Sequence, residues 1–400
     1  MLRGVIMVRA KEIDKESLVR FAQELIRIPS PSGQEGPLAQ QLADEMRRVG
    51  FGHVFLDRIG NVVGRIGTGD PPILLYNGHM DTVTPGDLAQ WKRDPYAAEV
   101  EDGVLYGLGA MDMKGALAAM VYSAPVIKAR SPQLKGTLYV VGVVQEEPAE
   151  GLGMKVLVEE EGIRPDFVVL GEATGLQISR GQRGRVEIRV TTHGRASHAS
   201  APGQGRNAIN AAARIIFETE LLAPRLLTDP FLGPGSLAVT QIDSVSGSRN
   251  AIPAVCTFYV DRRLTLGETE AKALAEIQQI VARDRLKADI AVSEWDISSY
   301  TGYRARVRDS YPAWVVPEDH RLVQAVSQAV KQTLGYKPRL ERWAFSTDGV
   351  YTMGVAGIPT IGFGPGDEKN AHTVDDQVKV DDLVAAAQVY AALAAQMLGT

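Results

Sequence analysis

The sequence predicts an α/β fold in which helices flank a mixed sheet, with a smaller ferredoxin-like α+β domain inserted into it. Up to residue 182, buried strands and helical segments follow one another. From 183 to 296 the pattern changes to alternating strands and two helices, in the β-α-β-β-α-β order of a ferredoxin-like unit. Helix and buried strand return from 297 to 400. Because 400 residues exceed the size at which one hydrophobic core usually stops growing, we expect two domains, the first of them discontinuous.

Two helices precede the sheet. Helical periodicity covers residues 12–27 and 35–49, and a turn with two prolines separates them. Short runs of strand type follow at His53–Leu56 and Val62–Ile66.

The run Ile73–Asp81 predicts the central buried strand. It is apolar until its carboxyl end, where His79 and Asp81 stand. Parallel strands that are covered on both faces are apolar throughout, and open α/β sheets bind ligands beyond the carboxyl ends of such strands. If the chain stays extended, the Asp81 carboxylate could hydrogen-bond one nitrogen of His79 and leave the other for a metal. The alternative is a surface loop that carries both residues by accident.

A glycine-rich stretch next precedes an Ala-rich helix that ends near Arg130. Gly107 and Gly109 suggest a dinucleotide fingerprint, but Asp112 stands where the third glycine is required. The spacing therefore argues against a nucleotide cofactor.

Two further apolar runs end in acidic residues. Glu146 and Glu147 follow the run 138–144, and Glu172 follows the run 167–170. Because neighbouring side chains on an extended segment point to opposite sides, one glutamate of the pair could bind metal while the other transfers protons. Two exposed glutamates on a solvated loop are the alternative.

The rest of the chain carries elements of both domains. The pattern predicts insert strands near 186–190, 237–242, 255–260 and 289–293, insert helices at 207–219 and 268–285, and then a helix at 320–334, a strand at 359–363 and a C-terminal helix at 383–398.

Histidine and carboxylate residues predict a metal site. Of six histidines, only His79 and His372 lie where a buried strand gives way to a loop. With Asp112, Glu147 and Glu172 they offer two imidazoles and three carboxylates, which suits two divalent ions if Asp112 bridges them. Each acidic residue taken alone could instead cap a helix or face water.

Composition excludes several classes of protein. The formal net charge of -5 comes from scattered residues with no basic cluster, so we expect neither nucleic acid nor membrane as a partner. The single cysteine, Cys256, excludes an internal disulfide and a cysteine-rich zinc site. Any metal must then be held by histidine and carboxylates, and a reducing cytoplasm is the expected location.

Neither end of the chain predicts a targeting or membrane segment. The run Met1–Arg9 has Arg3 and Arg9 around its apolar residues and no cleavage-like site, so we expect no signal peptide. The Ala-rich tail Leu383–Leu398 is interrupted by glutamines and falls short of the roughly 20 apolar residues that a span needs. We expect a packed helix there.

The acidic and histidine motifs together resemble the co-catalytic zinc aminoacylase and carboxypeptidase family, which includes acetylornithine deacetylase, succinyl-diaminopimelate desuccinylase and glutamate carboxypeptidase. The resemblance runs from about residue 15 to 395. It rests on His79-x-Asp81, Asp112-Met113-Lys114-Gly115, Glu146-Glu147, Gly171-Glu172, Gly194–Ala199 and Ala371-His372.

The resemblance implies a role for each of these residues. One metal, zinc with cobalt or manganese as alternatives, would take His79 and Glu172, the other Glu147 and His372, and Asp112 would bridge. Asp81 would orient His79, Glu146 would be the general base, and the peptide after Asp112 would be cis. The insert would pair two subunits in a homodimer, and His198 would reach the partner's active site to donate a hydrogen bond to the oxyanion.

Within the family the chain is most similar to the branch of selenium-metabolism-associated hydrolases, through Gly181–Arg185, Asp261–Thr265 and Phe345–Thr347. Family members hold the substrate carboxylate with residues that correspond to Asn250 and Arg263, and a guanidinium fork suits a carboxylate. A turn asparagine and a salt-bridged strand arginine are the alternatives.

One position departs from the desuccinylase pattern. Val350 follows Asp348-Gly349 where that pattern has arginine, which argues against a dicarboxylic succinyl substrate.

The leading hypothesis is a two-metal hydrolase of an amide bond next to a free carboxylate, in an N-acyl amino acid or a short peptide. A non-catalytic metal- or ligand-binding protein on the same fold is the alternative. The presence of Glu146 and all five ligand residues favours the enzyme.

Overall fold

The structure is a computed structural model that describes residues 8–399. The prediction that Met1–Arg9 is not a signal peptide concerns a segment of which residues 1–7 lie outside this range.

Helices and strands alternate along most of the chain. The helices are α1 (Lys15–Arg27), α2 (Gly36–Arg48), α3 (Gly115–Arg130), α4 (Leu152–Glu159), α5 (Ala208–Leu222), α6 (Glu270–Arg283), α7 (Arg321–Leu334), α8 (Gly349–Thr352) and α9 (Val380–Leu398). The strands are β1 (His53–Leu56), β2 (Val62–Ile66), β3 (Ile73–His79), β4 (Val100–Glu101), β5 (Val104–Tyr106), β6 (Thr137–Val143), β7 (Phe167–Leu170), β8 (Ile178–Gln182), β9 (Gly184–His193), β10 (Thr228–Asp229), β11 (Gly233–Pro234), β12 (Ser236–Val245), β13 (Val255–Leu264), β14 (Ala288–Val292), β15 (Glu294–Ser298), β16 (Arg304–Arg308), β17 (Ser310–Tyr311), β18 (Trp314–Val315), β19 (Leu340–Trp343), β20 (Thr360–Gly362) and β21 (Gln377–Lys379).

A nine-stranded mixed sheet forms the centre of the larger domain. Its strand order is β1-β2-β6-β3-β7-β20-β8-β18, with β19 beside β8. Strand β3 runs parallel to both β6 and β7, in a register that pairs His79 with Val143 and Asn77 with Leu170. The segments that follow these three strands therefore meet at one edge of the sheet.

Apolar helices bury this sheet in a single core. Residues of α1, α2, α3, α7 and α9 pack with the central strands, and β6 is buried along its whole length. The continuous apolar runs of the sequence follow from this burial, because strands covered by helices have no solvent face. The fold class predicted for this domain is confirmed.

Local signals fix where helices begin. Asp14 accepts a hydrogen bond from the Ser17 amide, so α1 starts at Lys15, three residues after the predicted start. Asn207 caps α5, and the His320 ring caps α7. These side chains satisfy amides that the helices leave unpaired.

The smaller domain is an antiparallel sheet in the order β12-β13-β9-β14, with α5 and α6 packed on it. In chain order its elements are β-α-β-β-α-β, which confirms the ferredoxin-like insert. Its core is separate from that of the larger domain. Strand β17, formed by Ser310 and Tyr311, also pairs with β9 although it lies beyond residue 296. The predicted domain boundaries at 182/183 and 296/297 therefore remain a proposal.

A hairpin of β15 and β16 belongs to neither large sheet and was missed in the sequence. Its tip reaches the larger domain, where the Tyr300 hydroxyl donates to Gly60 O at 2.9 Å and the Thr301 hydroxyl to Arg58 O at 2.8 Å. The hairpin thus fastens the segment after the insert to the first domain.

The Ala-rich tail is a packed helix, as predicted. Leu383, Tyr390 and Leu393 of α9 are buried in the main core. None of the helices between residues 8 and 399 has the length and apolarity to cross a bilayer.

Candidate active site

Two groups of side chains that could bind a metal ion share Asp112. The Nε2 atom of His79 lies 2.9 Å from Asp112 Oδ1 and 3.6 Å from Glu172 Oε1. The Nε2 atom of His372 lies 3.5 Å from Asp112 Oδ2 and 3.0 Å from Glu147 Oε2. In each group the candidate ligand atoms lie within 4.8 Å of one another. The two oxygens of Asp112 therefore face two different sets of donors.

The sheet brings these residues together. His79 ends β3, Glu147 follows β6 by four residues and Glu172 follows β7 by two. Their strands are adjacent and parallel, so their carboxyl ends lie side by side. His372 comes from the loop after β20, with a left-handed φ of 55° and a side chain that is 54% exposed.

Asp376 holds the loop that carries Asp112 through two hydrogen bonds. The Asp376 carboxylate accepts hydrogen bonds from the amides of Gly109 at 2.6 Å and Met111 at 2.8 Å. Burial and the nearby charge of Asp112 raise the pKa of Asp376 to about 8, although the two hydrogen bonds lower it. The peptide between Asp112 and Met113 is cis, as the resemblance implies.

Asp81 contacts His79 differently from the prediction. The ring Nδ1 lies 2.8 Å from the main-chain oxygen of Asp81 and 3.8 Å from its carboxylate. Strand β3 ends at His79, so the extended geometry behind the prediction does not continue to Asp81. The prediction that the carboxylate hydrogen-bonds the imidazole is therefore wrong. That carboxylate instead accepts from the Ser32 hydroxyl and from the amides of Glu146 and Glu147.

Glu146 lies beside the cluster but belongs to neither group. Its side chain is buried, and its Oε1 has no hydrogen-bond partner among residues 8–399. Burial raises the pKa of Glu146 well above its usual value, the attraction of His79 opposes this, and the charge of Glu172 adds to it. Glu147 is thus part of a candidate ligand group and Glu146 is not, and the different roles predicted for the two residues stay a prediction.

Electrostatics of the cluster fit a cation site. Burial raises the pKa of Glu172 to about 8, with Asp112 and Glu147 adding to the effect and His79 opposing it. The hydrogen bond to Glu147 raises the pKa of His372 to about 9 although burial opposes this. Crowded carboxylates with imidazole partners need compensating positive charge, and this donor set is one that divalent zinc accepts.

The three predicted site residues of the insert lie away from this cluster. His198 and Asn250 are exposed neighbours, since His198 forms a β-bridge with Ala251 and the Ala199 amide donates to Asn250 O at 2.7 Å. Arg263 donates to Asp261 through Nε at 2.8 Å and Nη2 at 3.2 Å. Among the described residues, no hydrogen bond or ion pair joins any of the three to the candidate metal ligands.

Sequence reasoning missed two buried residues near the cluster. The Asn77 side chain donates to Asp348 Oδ2 at 2.8 Å, and the Gly151 amide donates to Asp348 Oδ1 at 2.7 Å. A polar residue inside the apolar run of β3 was the available signal for Asn77. Val350, which follows this aspartate, is buried.

Arginines near Arg263 were also missed. Burial and the neighbouring guanidinium groups of Arg263 and Arg342 lower the pKa of Arg183. The Nε atom of Arg183 is buried and has no partner within residues 8–399. Arg183, which connects β8 of the larger domain to β9 of the insert, thus lies near the guanidinium groups of both Arg263 and Arg342.

Comparison with known proteins places the chain in a family. Residues 75–396 match the peptidase family M20/M25/M40. The chain is 40% identical over 396 residues to the uncharacterized protein YgeY of Escherichia coli (strain K12), a match that covers 99% of this chain and 98% of YgeY.

Two further relatives have described activities. The chain is 26% identical over 383 residues to succinyl-diaminopimelate desuccinylase of Hydrogenovibrio crunogenus, with 93% of this chain and 96% of that enzyme covered. It shares the fold of a dinuclear metal-binding M20 peptidase from Bacillus subtilis, with a TM-score of 0.71, 16% identity, and coverage of 96% and 98% of the two chains. The chain therefore belongs to the M20/M25/M40 peptidase family and is a metal-dependent hydrolase.

Proposed function

We propose that the protein is a two-metal hydrolase that cleaves an amide bond next to a free carboxylate, in an N-acyl amino acid or a short peptide. One observation carries the proposal, namely the two histidine and carboxylate groups that share Asp112. The test is hydrolysis of a panel of N-acyl amino acids and dipeptides by the metal-loaded protein, with release of free amine as the readout. Failure on the whole panel would contradict the proposal.

Each group would hold one divalent ion. His79 and Glu172 would bind the first, Glu147 and His372 the second, and Asp112 both. The Bacillus subtilis relative, described as dinuclear, supports two ions rather than one. Zinc fits the donors best, with cobalt or manganese as alternatives. The ions would polarise the scissile carbonyl and lower the pKa of the attacking water.

Glu146 would act as the general base. It lies next to the cluster, and its unpartnered Oε1 is free to accept the proton of the attacking water. The same carboxyl group would then donate that proton to the leaving amine. Cations bound nearby would counter the burial that raises its pKa, so the carboxylate would be available near neutral pH.

The arginines at the domain junction would bind the substrate carboxylate. Arg263, which the sequence indicated, lies near Arg183. Asn250 lies beside His198 at the other end of β13, so in the proposed homodimer it would add its amide to the partner's site. A guanidinium fork grips a carboxylate with two hydrogen bonds. Arg263 already donates two hydrogen bonds to Asp261, and the buried Nε of Arg183, which has no partner within residues 8–399, offers a donor for the substrate beside it.

Replacement of Arg263 by alanine should raise KM for substrates with a free carboxylate by roughly 10- to 100-fold, because a charged hydrogen bond contributes about 1.5–3 kcal/mol. Methyl esters or amides of the same substrates should lose far less. The exposed strand residue Arg189, changed to alanine, is the matched control. Equal losses for the acid and its amide would contradict this role.

The insert would pair two subunits. On the outer face of α5, Ile209, Phe217 and Leu221 are 39%, 58% and 47% exposed. Strand β12 lies at the edge of the insert sheet, where Ile242 and Val245 are also exposed. Apolar surface beside a sheet edge supports association of two copies into a homodimer.

In such a dimer His198 would act in the partner's active site, where it would stabilise the oxyanion of the tetrahedral intermediate. His198 is exposed, and its ring Nδ1 contacts the Ser200 hydroxyl rather than any candidate ligand of its own chain, which supports a role in trans. His198→Ala should lower kcat by roughly 10²–10³-fold and leave metal content unchanged, as for other oxyanion donors. Steady-state kinetics with metal analysis measures both.

Complementation tests the trans arrangement. His198→Ala chains mixed with Glu146→Gln chains should regain partial activity after subunit exchange, because one site of the mixed dimer holds both wild-type residues. No recovery on mixing, or a monomer by light scattering, would rule out the trans role.

A non-catalytic binding protein is not favoured, since the family match and the full set of ligands and Glu146 argue for an enzyme. We further propose a cytoplasmic location and small-molecule substrates, without nucleic acid or membrane partners, on the grounds of the single cysteine and the scattered charge.

A further inference from the structure

Four consecutive main-chain amides in the segment that carries Glu146 are each held by a buried side chain. These side chains come from three separate parts of the larger domain. The bonds are Val144 N–H to Asn61 Oδ1 at 3.0 Å, Gln145 N–H to Glu35 Oε1 at 3.2 Å, Glu146 N–H to Asp81 Oδ1 at 3.1 Å and Glu147 N–H to Asp81 Oδ2 at 3.2 Å.

We propose that Glu35 and Asn61 are positioning residues that, together with Asp81, hold the segment 144–147 so that Glu146 points at the reacting water. The inference rests on the proposed function, because Glu146 is the base in that proposal. It adds two residues that touch neither substrate nor metal.

The contacts of Glu35 are suited to holding the segment 144–147. It directly precedes α2, is completely buried, and its Oε1 also accepts from the Gly33 amide at 3.0 Å. Its Oε2 has no hydrogen-bond partner within residues 8–399. An unpaired buried oxygen is costly, and an apolar residue would avoid that cost if the site served packing alone.

The hydrogen bond from the Gln145 amide to Glu35 holds Gln145 in an unfavourable backbone conformation. Gln145 has a φ of 60°, in the left-handed region that a side chain with a Cβ rarely adopts. Such a conformation persists only where the surroundings enforce it. The turn at Gln145 lets the chain leave β6 and present Glu146 and Glu147 in succession, so loss of the Glu35 acceptor should let it relax.

Asn61 supports the same segment from its other end. Its Oδ1 accepts from Val144, while its Nδ2 donates to Asp57 Oδ2 at 2.7 Å and to Gly153 O at 2.9 Å. All its polar atoms are thus engaged, and the side chain is rigid. It ties the end of β6 to the start of α4.

The β15–β16 hairpin packs against this region from outside. The Tyr300 ring lies against Gly36, where an added Cβ would be 3.1 Å from Cδ2, and its hydroxyl bonds Gly60 O. Both glycines flank the segments that carry Glu35 and Asn61. Tyr300 thus packs on the neighbours of Glu35 and Asn61 and restrains both segments.

The experiment compares Glu35→Ala, Glu35→Gln and Asn61→Ala with wild type. Glu35→Ala should lower kcat by roughly 10- to 100-fold with a small change in KM, since about 1 Å of misplacement can cost 10²-fold. Glu35→Gln keeps an acceptor oxygen and should recover most of the rate.

A second readout needs no activity. Amide hydrogen exchange of peptides that cover 144–147 should be faster in Glu35→Ala and Asn61→Ala than in wild type, also in chelated protein. The matched control is Glu45→Ala, which removes a buried carboxylate of α2 that bonds Arg48 and Tyr122 instead. It should change neither kcat nor exchange at 144–147.

The outcomes separate this inference from the proposed function. If wild type hydrolyses nothing in the panel, the proposed function fails, and exchange at 144–147 still decides whether Glu35 and Asn61 hold the segment. Unchanged exchange in Glu35→Ala, or an equal loss of kcat in Glu45→Ala, would overturn the inference. Should Glu35→Ala not fold, Asn61→Ala and the Glu35→Gln rate decide it by the same criteria.

Discussion

Removal of divalent metal should abolish hydrolysis, and addition of zinc, cobalt or manganese should restore it. Without cations, the buried Glu172 carboxyl lies among the charges of Asp112 and Glu147, which together with burial raise its pKa to about 8. No other group in the cluster could generate a nucleophile from water near neutral pH. Activity measured before and after chelation, with metal content by mass spectrometry, should show two ions per chain in the active form.

Ligand variants make this prediction specific. His79→Ala should lose metal and nearly all turnover, because His79 contacts both Asp112 and Glu172. His53→Ala, at an exposed position of the edge strand β1, should keep two ions and full activity. A thoroughly chelated protein that still turned over its best substrate would end the two-metal proposal.

The parts of the fold that the sequence predicted are those governed by local pattern. Strands β1, β2 and β7 have the predicted bounds, and α3 spans the predicted helix from Gly115 to Arg130. A buried amphipathic or apolar segment shows a characteristic spacing of hydrophobic residues in the sequence, and prolines and glycines mark the ends of such a helix or strand.

Elements that depend on tertiary pairing were not predictable. Strands β8, β18 and β19 are short or polar and become strands only through their places at the far side of the main sheet. The β15–β16 hairpin alternates in polarity, but its contacts with Gly60 and Arg58 come from a distant part of the chain. No local signal marks such contacts.

The sequence predicted which residues form the candidate site better than it predicted the contacts between them. His79, Glu147 and Glu172 are polar residues at or just after the ends of apolar runs, and parallel pairing of β3 with β6 and β7 brings these three together. Asp112 and His372 come from other segments of the chain. The contacts of Asp81 and the roles suggested for Glu35 and Asn61 depend on side chains that meet amides far along the chain. Periodicity does not encode that information.

Glu146→Gln should lower kcat by roughly 10²–10⁴-fold, the usual loss when a general acid-base group is removed. Glutamine keeps the size of the side chain but cannot take a proton from water or return it to the leaving amine. Glu146 lies in neither ligand group, so the variant should keep both ions and its fold. Metal content, thermal unfolding and steady-state kinetics together measure these three properties.

Glu150→Gln is the matched control for this substitution. Glu150 follows Glu146 by four residues, and burial raises its pKa to about 7 despite the attraction of Arg185, yet it belongs to neither ligand group. Charge removal at Glu150 should leave kcat within a few-fold of wild type. Because Glu150 lies close enough to affect the pKa of Glu146, the control also measures how much of the loss comes from electrostatics alone. A near-normal kcat in Glu146→Gln, or equal losses in the two variants, would assign the proton transfer to another group.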